Sequence, residues 1–333
     1  MKQMTIVGIF IFLLSGLDLQ YAQAQDPIYS QPYANPLYLN PAFAGTETSQ
    51  RFGLNYQNIQ PANSVMYNAS YDRNFIDSNN GFGMLVNVEK SSLTGPYLEP
   101  NQDLTTTNIS LIYAHQFHIK SFTLSAGVQA TYVNLSLDQN KLAYTDWAYH
   151  RWFDWGEPLL RTQITLPDFS AGLLGYWKNY FAGFSITHLS QPDESFFQEP
   201  STLRTKYIFN AGGMIHIRKV TLTPTIYFEN QGTFHQQIIE GYVAYWHLIA
   251  GVGCSVQEIP TPANWDYPEA FNNVSTSMVL SLGYQCKLLR LACSYQCSPP
   301  EYSNGISEAS LSFLLPYSNI KRKKVNGLNI PAF

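Results

Sequence analysis

The residues of this chain that could do chemistry are sparse, and their spacing suits no familiar reaction. His115 and His118 come closest to metal-ligand spacing, but they straddle the end of an alternating segment, where two rings need not converge on one ion. Cys254, Cys286, Cys293 and Cys297 form no Cys-x-x-Cys pair and no zinc-like set. Cys286 and Cys293 would face each other across a hairpin centred near Leu289 and Arg290, which an oxidising compartment could seal as a disulfide; four separate wall cysteines are the alternative. Asp193 with Glu194, and Asp154 with Glu157, have no base beside them and read as solvated loop charge. No nucleophile elbow, Walker loop, dinucleotide fingerprint or His-Glu-x-x-His segment occurs. The expectation is a protein with no catalytic residue, no metal and no cofactor. One loop does stand out: Asp146 to Trp155 gathers Trp147, Trp152 and Trp155 around Arg151 and two aspartates. Aromatic and Arg clusters of this kind suit a protein or glycan contact, although a long loop folding back over its own lumen would use the same residues.

The elements that must position such a loop follow from composition. An apolar run from Ile6 to Leu17 ends in Ala22-Gln23-Ala24, the small-x-small pattern of a cleaved export signal, so the mature chain is expected to begin at Gln25. Charged residues are only 13%, aromatics reach 15% with 23 Tyr, and no later segment approaches the length of an apolar transmembrane helix. An exported membrane protein of this kind has to be a closed β-barrel, because only helices and closed barrels satisfy their backbone groups in lipid. A net charge of -4 gives no basic face for nucleic acid. The single basic run, Lys321 to Lys324, reads as a solvated tail.

Period-two alternation marks about fourteen strands. In the first half they run over Arg51 to Gln57, Asn63 to Arg73, Gly81 to Lys90, Thr106 to Phe117, Phe122 to Leu135, Asp168 to Tyr176 and Tyr180 to His188. In the second half they run over Lys206 to Ile217, Val220 to Asn230, His235 to Tyr245, Leu248 to Gln257, Val274 to Cys286, Leu291 to Ser298 and Glu308 to Leu315. Tight turns at His118 to Ser121, Trp177 to Asn179, Arg218 with Lys219, Trp246 with His247, and Lys287 to Arg290 alternate with longer connections such as Ser136 to Pro167. That asymmetry matches an outer-membrane barrel with short periplasmic turns, long outer loops and both termini in the periplasm. The expected organisation is a signal peptide (1–24), a periplasmic N-terminal segment (25–50), the barrel (51–316) and a basic periplasmic tail (317–333).

Gln25-Asp-Pro-Ile-Tyr-Ser-Gln, continuing to Asn35-Pro-Leu-Tyr-Leu-Asn-Pro-Ala-Phe-Ala-Gly45, resembles the opening of the PorP/SprF family. Phe52 to Asn58, Ala69 to Asp72, Asp168 to Tyr176 and Tyr180 to Pro192 extend the resemblance over most of the chain. It departs near the end, where Cys293-Ser-Tyr-Gln296 and Ser307-Glu308 stand in place of Tyr-Ser-Tyr-Asp and a His-Glu pair. The resemblance implies an outer-membrane component of the type IX secretion and gliding machinery of the Bacteroidota. Its implied partners are periplasmic ring and peptidoglycan-linked components together with a secreted cargo or surface adhesin, and its implied role is export or anchoring of that cargo. A diffusion channel or ligand transporter is the alternative function, and would call for a wide lumen with charged rings.

Asn35-Pro36 and Asn40-Pro41 precede the first strand and cannot join a ladder smoothly, since Pro lacks the donor. They imply a rigid non-strand segment, which could plug the barrel, present a docking face for partners, or serve as an ordered lead-in.

Overall fold

The computed structural model describes residues 26, 29–60, 64–75, 78–93, 102–137, 161–196, 200–261, 271–297 and 305–316. Its strands are β1 (Gln50–Gln60), β2 (Ser64–Phe75), β3 (Asn80–Leu93), β4 (Gln102–Ile119), β5 (Phe122–Leu137), β6 (Gln163–Trp177), β7 (Tyr180–Thr187) and β8 (Lys206–Gly213). They continue with β9 (Ile215–Ile217), β10 (Val220–Gln231), β11 (Phe234–Tyr245), β12 (Leu248–Thr261), β13 (Phe271–Gln285), β14 (Leu289–Cys297) and β15 (Gly305–Leu315). Each strand pairs antiparallel with its neighbours, and β1 closes on β15 from Gln50 opposite Leu315 to Gln60 opposite Gly305. β8 and β9 both pair with β10, so they are two halves of one wall strand, interrupted at Met214, whose N–H donates to the Asn179 carbonyl. The wall is therefore a closed barrel of fourteen strands.

Alternation decides which side of the wall each residue takes. Along β5, Leu124, Val128 and Tyr132 point outward while Thr123, Ser125 and Gly127 point inward. The same inversion of a soluble core holds around the barrel: Leu111, Leu173, Ile239, Val252 and Leu282 are all more than half exposed, whereas Ser185, Asn210, Ser255 and Ser281 are buried. In water this would be untenable; in lipid each large outward side chain gains about 1.5–3 kcal/mol by leaving water. Outward aromatics cluster near both rims, as with Phe122 and Tyr132 on β5. Ten residues at about 3.3 Å each, tilted by about 40°, separate those two by roughly 25 Å, the height of an outer-membrane apolar band.

Every strand expected from alternation forms. Several run on past the band, so β6 starts at Gln163 rather than Asp168 and β12 ends at Thr261 rather than Gln257. Beyond the lipid the polarity changes sides, with Ile164 and Leu166 turned inward onto Val133 and Leu135, and the ladder continues. The tight turns fall at one rim, and Lys120, Lys178, Arg218 and Trp246 open them with φ of 56°, 52°, 56° and 59°. The hairpin after β13 turns at 286–288, ahead of the expected centre, with the Cys286 N–H donating to the Leu289 carbonyl. Cys293 consequently faces Leu282, and all four cysteines are free.

The core of the molecule lies inside the lumen. Three short turns, Pro32–Ala34, α1 (Pro36–Leu39) and Pro41–Phe43, each begin with a proline whose missing N–H and fixed φ suit a helical first position. Tyr33, Leu37, Leu39, Ala42 and Phe43 from this segment pack with wall residues Leu85, Ile112, Leu174, Phe181, Ile208 and Ile238.

Candidate functional site

The N-terminal segment crosses the lumen from rim to rim. Asp26 lies beside Lys206, where β8 leaves the long-loop rim, and Gly45 lies beside Asp72, Asn74 and Gln116, where β2 and β4 reach the tight-turn rim. From Tyr29 to Glu47 the residues are buried apart from Tyr38, which is partly so. The wall makes room with glycine. A Cβ on Gly81 would collide with the Ala44 carbonyl oxygen, and one on Gly127 with the backbone of Pro41 and Ala42.

Polar contacts then fix this plug at defined heights. At the tight-turn rim the Gly45 N–H donates to Asp72 Oδ2 (2.9 Å), whose other oxygen accepts from Arg51 Nε (2.7 Å). Arg290 pairs with Glu47 at 2.9 Å beside it. Near the middle, Asn40 Nδ2 donates to the Leu173 and Phe184 carbonyls (3.0 and 3.2 Å), its Oδ1 accepts from the Ala42 N–H (2.8 Å), and Ser125 and Ser185 donate to the Ala42 and Leu39 carbonyls. Higher up, Glu308 accepts the Ser30 and Gln31 N–H groups at 2.5 and 2.8 Å. On the β1–β4 side contact is looser: Asn55, Asn68, Asn87 and Asn108 stand opposite one another on successive strands, each with a buried amide atom that finds no partner among the described residues. Buried polar atoms of this kind are positions for ordered water.

A charged cluster closes the long-loop rim. Asp26 Oδ2 accepts from Lys206 Nζ at 2.5 Å and from His188 Nε2 at 2.7 Å. The other ring nitrogen of His188 meets Asp168 Oδ2 at 2.8 Å, and Ser190 Oγ donates to Asp168 Oδ1 at 2.6 Å. Lys206, almost wholly buried, also sits 3.8 Å from Glu229 and 5.0 Å from the centre of the Tyr38 ring. Burial by itself lowers the affinity of His188 for a proton, but the Asp26 charge and hydrogen bonds to Asp168 and Asp26 raise its pKa to about 9. Burial likewise works against the Asp26 carboxylate, and His188 and Lys206 more than reverse this, holding it well below the ordinary range. The imidazole thus carries a proton on each nitrogen, with both donated to carboxylates, and the Ser190 hydroxyl is turned to Asp168 rather than to the ring.

Of the residues singled out in the sequence, Asn35, Pro36, Asn40 and Pro41 lie inside the lumen, facing the wall and the plug's own turns. Trp147, Trp152 and Trp155, like Asp154, Glu157, the segments 1–24 and 317–333, lie outside the described residues. His115 and His118 project to opposite faces of the wall and bond Asn80 and Thr123 separately. Asp193 is not free loop charge, since its Oδ1 accepts the Ser195 and Ser201 N–H groups. Glu194 beside it is half-buried, and burial together with the nearby Asp26 charge pushes its pKa up to about 7. The rim cluster was not anticipated. Its one signal was that Asp26, Asp168 and His188 each belong to a different stretch of the family resemblance.

A sequence model described as type IX secretion system membrane protein PorP/SprF matches residues 21–313. The chain belongs to the PorP/SprF family. The match spans the plug and nearly the whole wall. No curated protein matches the sequence. Among solved structures, a ΔS2S3 mutant of the TodX monoaromatic hydrocarbon channel aligns with a TM-score of 0.53 at 10% identity, covering 84% of this chain and 94% of that one. A TodX ΔS2 mutant aligns at 0.49 and 11% identity (86% and 94% covered), and the outer membrane protein Omp33 of Acinetobacter baumannii at 0.43 and 7% (81% and 100% covered). At such identities the TodX likeness shows the barrel fold. Family and fold together put the protein in the outer membrane as a component of type IX secretion.

Proposed function

We propose that this PorP/SprF member is a closed outer-membrane scaffold that supports export or surface anchoring of particular cargo proteins and performs no reaction itself. The observation that carries the reading is the plug: a lumen filled from rim to rim by buried chain offers no passage for diffusing solute, so the useful surfaces are the two rims. By the habit of outer-membrane barrels the tight turns face the periplasm, where ring and peptidoglycan-linked components dock, and the long loops face outward to cargo. Exposed Lys120, Lys178, Arg218, Lys219 and Lys287 at the tight turns suit the phosphate layer of the inner leaflet. In this reading Asn35, Pro36, Asn40 and Pro41 serve partners through the plug they shape, and the loop carrying Trp147, Trp152 and Trp155 is the cargo contact. Removal of residues 1–24 leaves Asp26 next to the new terminus, free to be drawn to the outer rim. The absence of catalysis is supported by His188, whose ring nitrogens both serve carboxylates.

The test deletes the protein in its host and follows the surface proteome: one or a few cargo proteins should disappear from the surface while the bulk of secretion continues. Unchanged display of every surface protein sinks the proposal. A second reading, a diffusion channel or ligand transporter, is favoured by the Asn55, Asn68, Asn87 and Asn108 amides, which would line a polar path if the plug moved. Purified protein in a planar bilayer separates the two, since the scaffold should be silent and the channel steadily conducting.

A further inference from the structure

The Asp26 contact has the form of a receptor holding a ligand that happens to be part of the same chain. Everything that builds the receptor belongs to the wall. Lys206 opens β8, His188 follows β7, Asp168 lies on β6 and Glu229 on β10. His188 is held in the left-handed region at φ 56°, an uncommon conformation for a residue with a side chain, and is braced by the Leu189 N–H on the Phe169 carbonyl and by the Thr205 hydroxyl on its own carbonyl. Its ring is aimed by Asp168, which Ser190 holds in turn. The ligand side is slight by comparison. Asp26 is the most exposed charged member of the cluster (side chain 18%) and, apart from its carboxylate, is held among the described residues by its N–H on Gln231 Oε1 at 3.1 Å.

We propose that Lys206 and His188 form a carboxylate-binding site which the chain occupies with its own Asp26, and that a carboxylate of an incoming polypeptide takes this place in exchange, releasing the leading end of the plug. The inference deepens the scaffold reading and rests on it for the outward direction of the rim. Two donors, at 2.5 and 2.7 Å, converge on one oxygen, and the receptor presents two buried cations to that position. With the site left empty, Lys206 would keep only Glu229 at 3.8 Å and His188 only Asp168, and the donor that each turns to Asp26 would be buried without an acceptor. Asp168 and Glu229 close by add negative charge, which disfavours a phosphate dianion and leaves the carboxylate monoanion as the fitting class. Glu194 also lies near enough to feel the Asp26 charge. A self-ligand on a short tether acts at an effective concentration in the millimolar range, so below that concentration a partner displaces it only when its carboxylate is itself presented by further contacts. That requirement makes the exchange selective for a docked polypeptide over free metabolites.

The experiment uses the full mature chain in detergent micelles. Asp26→Ala empties the site, and sodium acetate should then raise its thermal unfolding midpoint saturably, with no matching rise in the wild type. Acetamide, and sodium chloride at equal ionic strength, should do nothing, and adding Lys206→Met should abolish the acetate response. Two pentapeptides identify the source: one with a free C-terminal carboxylate and no acidic side chain, the other amidated and carrying one Asp. An acetate response no larger than that of chloride, or one that survives Lys206→Met, overturns the proposal. If Asp26→Ala does not accumulate as a heat-modifiable barrel, the wild type itself decides: concentrated acetate should speed hydrogen exchange in residues 26–34, relative to chloride, without loosening the wall. No difference between the salts rejects the site. The titration involves no cargo, so it and the surface-proteome test can fail independently.

Discussion

Replacing Asn40 with Ala should unseat the plug, and replacing Asn35 should not, although the sequence presents the two Asn-Pro pairs as equals. Asn40 is wholly buried and makes three hydrogen bonds, two to wall carbonyls of β6 and β7 and one that caps the Pro41–Phe43 turn. Each neutral bond contributes about 1 kcal/mol net, and the cap is of similar size, so Asn40→Ala should cost roughly 3 kcal/mol of plug docking. Asn35 is just as buried but donates one long bond, 3.4 Å, to the Tyr29 hydroxyl, while its Oδ1 has no partner among the described residues. Its loss should cost well under 1 kcal/mol by the same standard. At 1.4 kcal/mol per factor of ten, Asn40→Ala raises the undocked population about a hundredfold and Asn35→Ala by no more than a few fold. Hydrogen exchange read by mass spectrometry over residues 37–47 measures this directly in micelles, with the β11–β13 wall as internal reference. Equal protection in the two variants, or faster exchange in Asn35→Ala, would refute the assignment of Asn40 as the plug's main polar anchor.

The Asp26–His188 contact should be strongest from about pH 4 to 6.5: the raised pKa of His188 gives stabilisation present in full below 6.5 and lost as pH climbs through about 9, while the depressed Asp26 gives stabilisation lost only as pH falls below 3.8. Exchange protection of residues 26–34 should therefore fall between pH 6.5 and 9 in wild type but not in His188→Gln. Cys placed at exposed Pro200 should react with an impermeant maleimide on whole cells and Cys at Lys178 should not; the reverse pattern overturns the orientation. Leu282→Arg, on the lipid face at 66% exposure, should cost about 2–4 kcal/mol and weaken the heat-modifiable band, and an undiminished band would argue against bilayer contact there.

The wall was legible because lipid and lumen impose opposite demands on successive residues, and β5 records this without exception from Phe122 to Tyr132. The break at Met214 was not, because β8 and β9 keep one register on β10 and the alternation of Lys206 to Ile217 carries no trace of it. The cysteine hairpin was misplaced for a similar reason, as the turn at 286–288 lacks the Gly or Asn that would have fixed it. The plug was half visible. Tyr33, Leu37, Leu39 and Phe43 are too apolar for a solvated lead-in, and Gly81 and Gly127 on inward faces mark a close backbone approach from within, as Gly172 marks that of the Asn40 side chain. Neither signal decides alone, since inward glycines also occur in open barrels and apolar lead-ins also dock elsewhere. Together they have one solution, because a segment that must hide its apolar side chains and a wall that has cleared space for a backbone complement each other only inside the lumen. The rim cluster was barely legible: Asp168, His188 and Lys206 meet where the neighbouring strands β6, β7 and β8 reach one rim, but only the path of the plug through the lumen brings Asp26 to them, and none carries a local pattern that distinguishes it from ordinary strand-end charge.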